Sequence, residues 1–264
     1  MIEPFVDAAW VRANPGVILA DTRCYLDGRS TREAYDAGHL PGAVYVDLDG
    51  YLAAPASPEA GRHPLPTPEA FAAGLSAAGI GDGATVVAYD DAGGVMAARL
   101  VWLLRSLGED AALLDGPLGP LDDTGTVVPS PATFTPRPWP ADRLATIDEA
   151  SAGAVPVIDA RPADRFRGEN ETVDPRAGHI PGAVSVPCRD NVVDGALLPV
   201  PELRDRFEAA GLRPGEDFVA YCGSGVSACH NLLTAEHAGF DSGRLYPGSW
   251  SQYAGTDRPA ATGA

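Results

Sequence analysis

The heptapeptide GHLPGAV at residues 38–44 returns as GHIPGAV at residues 178–184, with one conservative change and an offset of 140. Upstream of each lies an apolar stretch ending in Asp-x-Arg, VILADTR at 17–23 and VPVIDAR at 155–161. Downstream, ATVVAYDDAGG at 84–94 matches DFVAYCGSG at 217–225, which sets Asp90 opposite Cys222. Three matches in one order at nearly constant spacing describe two copies of a single α/β unit. In each copy, Val- and Ile-rich strands alternate with helical stretches such as MAARLVWLLRSLG and SACHNLLTAEHAG, each closed by a glycine. Strands apolar on both faces and separated by helices predict a mainly parallel sheet with helices on both sides.

Composition places the boundary. PSPATFTPRPWP at 129–140 holds five prolines and neither helical nor strand periodicity, as a stiff linker would. The expected organisation is a first domain over 1–130, a linker over 131–140 and a second domain over 141–264. Between the turn glycine and the Asp90/Cys222 position, the first copy is eight residues longer than the second, most simply within Tyr51–Pro66. The second copy is two residues longer before its GH turn, in the stretch carrying Arg165, Arg167 and Arg176. Functional loops usually lie in such insertions.

The 264 residues carry a formal net charge of −17, and all 19 basic residues are arginine. The acids are spread evenly, 18 in residues 1–140 and 18 beyond. That balance opposes binding to nucleic acid or to an anionic membrane, so no partner of either kind is expected. Nor does an apolar run approach the ~20 residues of a membrane span. The opening MIEPFVDAAW has acids where an export signal would be basic, which points to the cytoplasm. Four cysteines without a CxxC pair, and five histidines that do not cluster with them, leave no disulfide scaffold and no zinc site to expect. No metal or cofactor is implied.

Cys222 follows the strand FVAY, and Gly223, Ser224, Gly225, Val226 and Ser227 lead from it into a helix. Ligands gather beyond the carboxyl ends of strands in open α/β sheets. Inward-turned amides of a glycine-containing loop, together with a helix start, stabilise an anion. A free thiol with pKa near ~8.5 is about 3% ionised at pH 7, and lowering it by ~2 units makes it roughly three-quarters thiolate. The loop carries no cation, so peptide dipoles alone are expected to hold the thiolate. Cys24, Cys188 and Cys229 read as packed, unreactive thiols. Because His39 and His179 occur in both copies, they read as turn residues, and Trp250 and Tyr253 fit packing or a site wall equally well.

The two-copy layout, GHIPGAV, DARPADRFRG, YCGSGVSACHNLL and LYPGSWSQY together resemble the two-domain rhodanese (sulfurtransferase) family over essentially the whole chain. The resemblance implies two tandem rhodanese-like domains. The second would carry a catalytic cysteine, and the first, with Asp90 at that position, would be inactive. It further implies that Cys222 attacks the outer sulfur of a small donor and passes it from a persulfide to a thiophilic acceptor, cyanide or a thiol such as that of thioredoxin. The uncharged CGSGVSA loop is similar to that of members preferring 3-mercaptopyruvate, whereas thiosulfate-preferring members carry cations there. Thiosulfate is the alternative donor.

The resemblance also carries individual residues. Arg165 matches an arginine that pairs with the donor carboxylate, and Arg176 is a second candidate in the stretch of altered length. Ser224, Asp49 and His63 match residues proposed to relay a proton. Gly223, Gly225, Val226 and Ser227 complete the anion cradle. Cysteine phosphatases share this fold but need arginine six positions after the cysteine, where this chain has Ala228. A non-catalytic persulfide carrier would not need Arg165 and Ser224.

Overall fold

The computed structural model describes residues 1–25 and 27–264. These fall into two compact units. The first comprises 1–54, 65–139 and 194–197; the second comprises 55–64, 140–193 and 198–264. This partition departs from the division expected at 131–140. The Pro-rich segment packs with the first unit up to Trp139, where Phe134 meets Phe71 edge-on and Trp139 lies tilted against it. Ten residues of the long insertion, Pro55–Pro64, pack with the second.

In the first unit a five-stranded sheet runs Phe5–Asp7, Ala111–Asp115, Val86–Tyr89, Ile18–Asp21, Val44–Tyr45 from edge to edge, all parallel. The second unit has four parallel strands in the order Gly243–Leu245, Phe218–Tyr221, Val157–Asp159, Val184–Ser185. A parallel bridge between Leu144 and Leu245 stands where the first sheet has its fifth strand. Registers repeat between the copies. Asp21 pairs with Tyr89 and Tyr45, and Asp159 pairs with Tyr221 and Ser185.

The Asp-x-Arg motif explains its own repetition. Arg161 binds Asp159 through Nη2 at 2.7 Å and reaches the Gly178 carbonyl at 2.7 Å, tying the strand end to the GH turn. Arg23 does the same between Asp21 and Gly38, each at 2.7 Å. Both pairs are nearly inaccessible, and such burial is tolerable because these charges are hydrogen-bonded on several sides. The histidines of the turn are structural. His39 stacks on Tyr35 and bonds its carbonyl through Nδ1 at 2.9 Å, and His179 stacks on Phe166 and bonds the Phe166 carbonyl at 2.8 Å.

The expected long helices form over Ala98–Ser106 and Ser227–His237, followed by Gly108 and Gly239 at positive φ. Among the short helices not legible in the periodicity are Thr31–Ala37 and Ala163–Arg167. At seven and five residues they are too short to show a 3.6-residue pattern. The second of them carries Arg165.

Candidate active site

In the second unit the chain leaves Val157–Asp159 toward one edge of the sheet and returns to Phe218–Tyr221 on the other side. The carboxyl ends of these adjacent strands therefore form a topological switch point, where open α/β sheets bind ligands. Cys222 stands at this point, 2% exposed. The Gly225 N–H donates to its Sγ at 3.1 Å. Gly225 has φ +78°, and a Cβ there would lie 2.7 Å from the Pro247 carbonyl oxygen, so a side chain is excluded on both counts. The Cys229 thiol donates to the Gly225 carbonyl at 3.3 Å and braces the same turn.

A second turn clamps the loop from outside. The Cys222 N–H donates to Ser249 Oγ at 3.2 Å, while Trp250 N–H and Ser251 N–H donate to the carbonyls of Cys222 and Gly223 at 2.9 and 2.8 Å. Ser249 is fully buried and holds φ +52°, an uncommon conformation for a residue with a side chain. Its strain is balanced by the Cys222 bond and by its own donation to the Tyr246 carbonyl at 2.9 Å.

The Pro55–Pro64 segment is fixed to this turn. The Arg62 N–H donates to Ser251 Oγ at 3.0 Å, and Gly61 sits so near the Gly248 carbonyl that a Cβ would approach it to 2.6 Å. Two side chains are thereby delivered to the loop. His63 Nδ1 and Ser224 Oγ are 2.7 Å apart. Arg62 Nη2 lies 3.0 Å from where a Cβ on Gly223 would stand, and Arg165 Nη1 lies 3.7 Å from the same point. Two guanidiniums thus reach Gly223 from outside the loop, whose own sequence carries no cation. Arg62 was not singled out in the sequence, and its only signal there was adjacency to His63 in the longer insertion.

Arg165 is held by two buried acids. It binds Glu171 through Nε at 3.2 Å and Nη2 at 2.8 Å, and Asp174 through Nη2 at 2.9 Å. Arg62 binds the other oxygen of Asp174. Burial works to raise the Glu171 pKa, but backbone N–H groups of Asp174 and Val173 and then Arg165 outweigh it, and the carboxyl lies below its ordinary range.

The other candidates are placed differently. Arg176 donates to the carbonyls of Arg258 and Tyr253 at 2.7 and 3.1 Å and lies against the Trp250 and Tyr253 rings. These bonds commit its guanidinium to the C-terminal segment. Trp250 and Tyr253 are core residues, 0% and 1% exposed. Asp49 lies exposed on the short helix Leu48–Tyr51 of the first unit, its N–H donating to Asp47 Oδ1 at 3.1 Å. Val226 is buried and directly precedes the helix that Ser227 begins.

Two of the remaining thiols are held protonated. Burial pushes Cys188 up to about 12, with Cys222 nearby adding to the effect. Burial together with Asp49, Asp47 and Asp90 pushes Cys24 up to about 11. Among the described residues no three His, Cys, Asp or Glu side chains form a metal-holding group, and no helix is long and apolar enough to cross a membrane.

The model of the rhodanese-like domain matches residues 8–118 and again 143–256. A Pseudomonas aeruginosa protein described as a probable 3-mercaptopyruvate sulfurtransferase is 42% identical, covering 95% of this chain and 94% of its own. A putative thiosulfate sulfurtransferase of Mycobacterium tuberculosis, SseB, is 37% identical over 97% and 94%. The crystal structure of the 3-mercaptopyruvate sulfurtransferase SseA from Escherichia coli superposes with a TM-score of 0.81 at 30% identity, covering 95% of this chain and all of that one.

Proposed function

The chain belongs to the rhodanese-like family and is a sulfurtransferase, and from that premise we propose that it takes sulfur from 3-mercaptopyruvate through a persulfide on Cys222. The observation that carries this reading is the Gly225 N–H directed at Cys222 Sγ, a donor positioned for a sulfur that bears negative charge. The Cys222 thiolate attacks the donor sulfur, the carbon–sulfur bond breaks, and its electron pair leaves as the enolate of pyruvate. The proton lost from the donor thiol ends on the enolate carbon. Ser224 and His63, paired at 2.7 Å, are the groups to carry it, a task for which imidazole suits neutral pH. Arg165 and Arg62 would orient the donor carboxylate, since guanidinium geometry matches a carboxylate fork. An acceptor thiolate, or cyanide, then attacks the outer sulfur, and Cys222 departs as thiolate.

Thiosulfate is a second donor favoured by one observation: two guanidiniums, though paired with acids, bring to Gly223 hydrogen-bond donors that the loop sequence lacks. The same attack would then release sulfite. In this reading Asp90 leaves the first domain without a nucleophile, and the division of labour between domains follows the repeat. Four free cysteines, one of which must stay a thiol, suit a reducing cytoplasm.

Pyruvate release from 3-mercaptopyruvate by the purified protein tests the proposal, together with the intact mass of a donor-treated sample. Turnover and one added sulfur on the Cys222 peptide are expected, both lost in Cys222→Ser. A protein that releases neither pyruvate nor sulfite would overturn it.

A further inference from the structure

The second copy's extra stretch before its GH turn contributes Glu171 and Asp174, whose side chains are 3% and 2% exposed although both are acidic. Neither is spent on a helix cap or on a surface ion pair. Asp174 bonds two arginines at once, one oxygen to Arg165 at 2.9 Å and the other to Arg62. Glu171 grips Arg165 from a third direction and lies 3.5 Å from Arg161 Nη1. The Val173 and Asp174 N–H groups fix its carboxylate at 2.9 and 3.0 Å. The arginines nearest Gly223 are thus matched charge for charge: two guanidiniums, two carboxylates. An approaching donor meets an oriented fork of N–H groups with no net positive charge behind it.

We propose that Glu171 and Asp174 are positioning residues that set donor selectivity, holding and neutralising the Arg62–Arg165 pair so that a singly charged carboxylate is favoured over doubly charged thiosulfate. This rests on the reading of Cys222 as the nucleophile that takes sulfur from 3-mercaptopyruvate. The physical ground is that Coulomb attraction scales with ligand charge, whereas a bidentate hydrogen-bonded fit depends on guanidinium orientation. Removing one carboxylate adds a net positive charge, which favours the dianion, and frees the guanidinium, which penalises the carboxylate. Both effects move selectivity the same way.

The full-length protein and its Asp174→Asn and Glu171→Gln variants would be assayed with each donor. The ratio of kcat/KM for thiosulfate to that for 3-mercaptopyruvate should rise about tenfold, as expected for one charge near a partly buried site. KM for 3-mercaptopyruvate should rise while kcat stays within a few-fold. Arg62→Gln leaves the cluster with a net negative charge and should lower the ratio, and it decides the matter if the two acid variants do not fold. A merely structural role would depress both donors alike, so an unchanged ratio overturns the proposal. If the unsubstituted protein releases no pyruvate, the functional reading itself has failed, which is a separate outcome.

Discussion

The loops that follow Tyr89 and Tyr221 occupy matching places in the two sheets and treat negative charge differently. In the first, the Asp90 carboxylate accepts four backbone N–H bonds, from Ala92 and Gly94 at 2.7 and 2.8 Å and from Met96 and Ala97 at 2.6 and 2.8 Å. In the second, the shorter Cys222 side chain receives the Gly225 N–H at 3.1 Å. The first loop is longer by one residue, since Val95 stands five positions after Asp90 and Val226 four after Cys222. A strand, a glycine-containing turn and a helix start make an anion cradle in either case. One copy fills it permanently with its own carboxylate and gains a rigid turn. The other holds a sulfur there, which the proposed reaction extends by a second sulfur atom. The copy with Asp90 thus displays, in a fixed anion, the property on which the proposed chemistry of the other depends.

The comparison is broken most severely at the nucleophile. Cys222→Ser should reduce donor turnover by at least about 10³-fold, as losses of nucleophiles do. Adding Asp90→Cys to that variant should not restore turnover, because Arg62, His63 and Arg165 belong to the second unit. Next, His63→Ala and Ser224→Ala should each lower kcat about 100-fold with a smaller change in KM, and the double variant should be no worse than either alone. Additive losses in steady-state kinetics would separate the pair.

On the first copy the effect is on stability. Burial pushes the Asp90 carboxyl upward and four N–H groups pull against it, so the site depends on all four bonds. Asp90→Ala leaves those donors facing a void and should cost about 3 kcal/mol in denaturant unfolding, with Asp90→Asn costing about half. The smallest effect sharpens the contrast between thiols. With Cys24 pushed up to about 11, its thiolate forms only as pH climbs toward that value. Its alkylation rate should rise about tenfold per pH unit between 7 and 10. A Cys24 labelling rate that stayed flat over that range would contradict the burial and neighbouring carboxylates that raise it.

The strand ends, the two loops and the Asp90/Cys222 exchange were legible because each is local. A Val-rich run followed by a glycine turn and a helix start is written in consecutive residues, and internal repetition supplied the alignment. Arg165 and Ser224 were reached through resemblance. Arg62 was not, because nothing within the Arg-His-Pro sequence states which unit the insertion packs against. Arg176 illustrates the converse. Resemblance made it a second candidate for the donor carboxylate, in a stretch of altered length, but its guanidinium donates to the carbonyls of Tyr253 and Arg258.

By itself, then, the sequence determined a duplicated parallel α/β unit and singled out one cysteine among four, since turn chemistry and periodicity act over a few residues. The tertiary structure alone decided that residues 55–64 close on the Pro247–Ser251 turn, that Arg62 joins Arg165 over Gly223, and that two buried acids hold both. Those groups come from three segments, 55–64, 165–174 and 247–251, far apart along the chain, and hydrogen bonds between the segments form only after the sheet has fixed their distance.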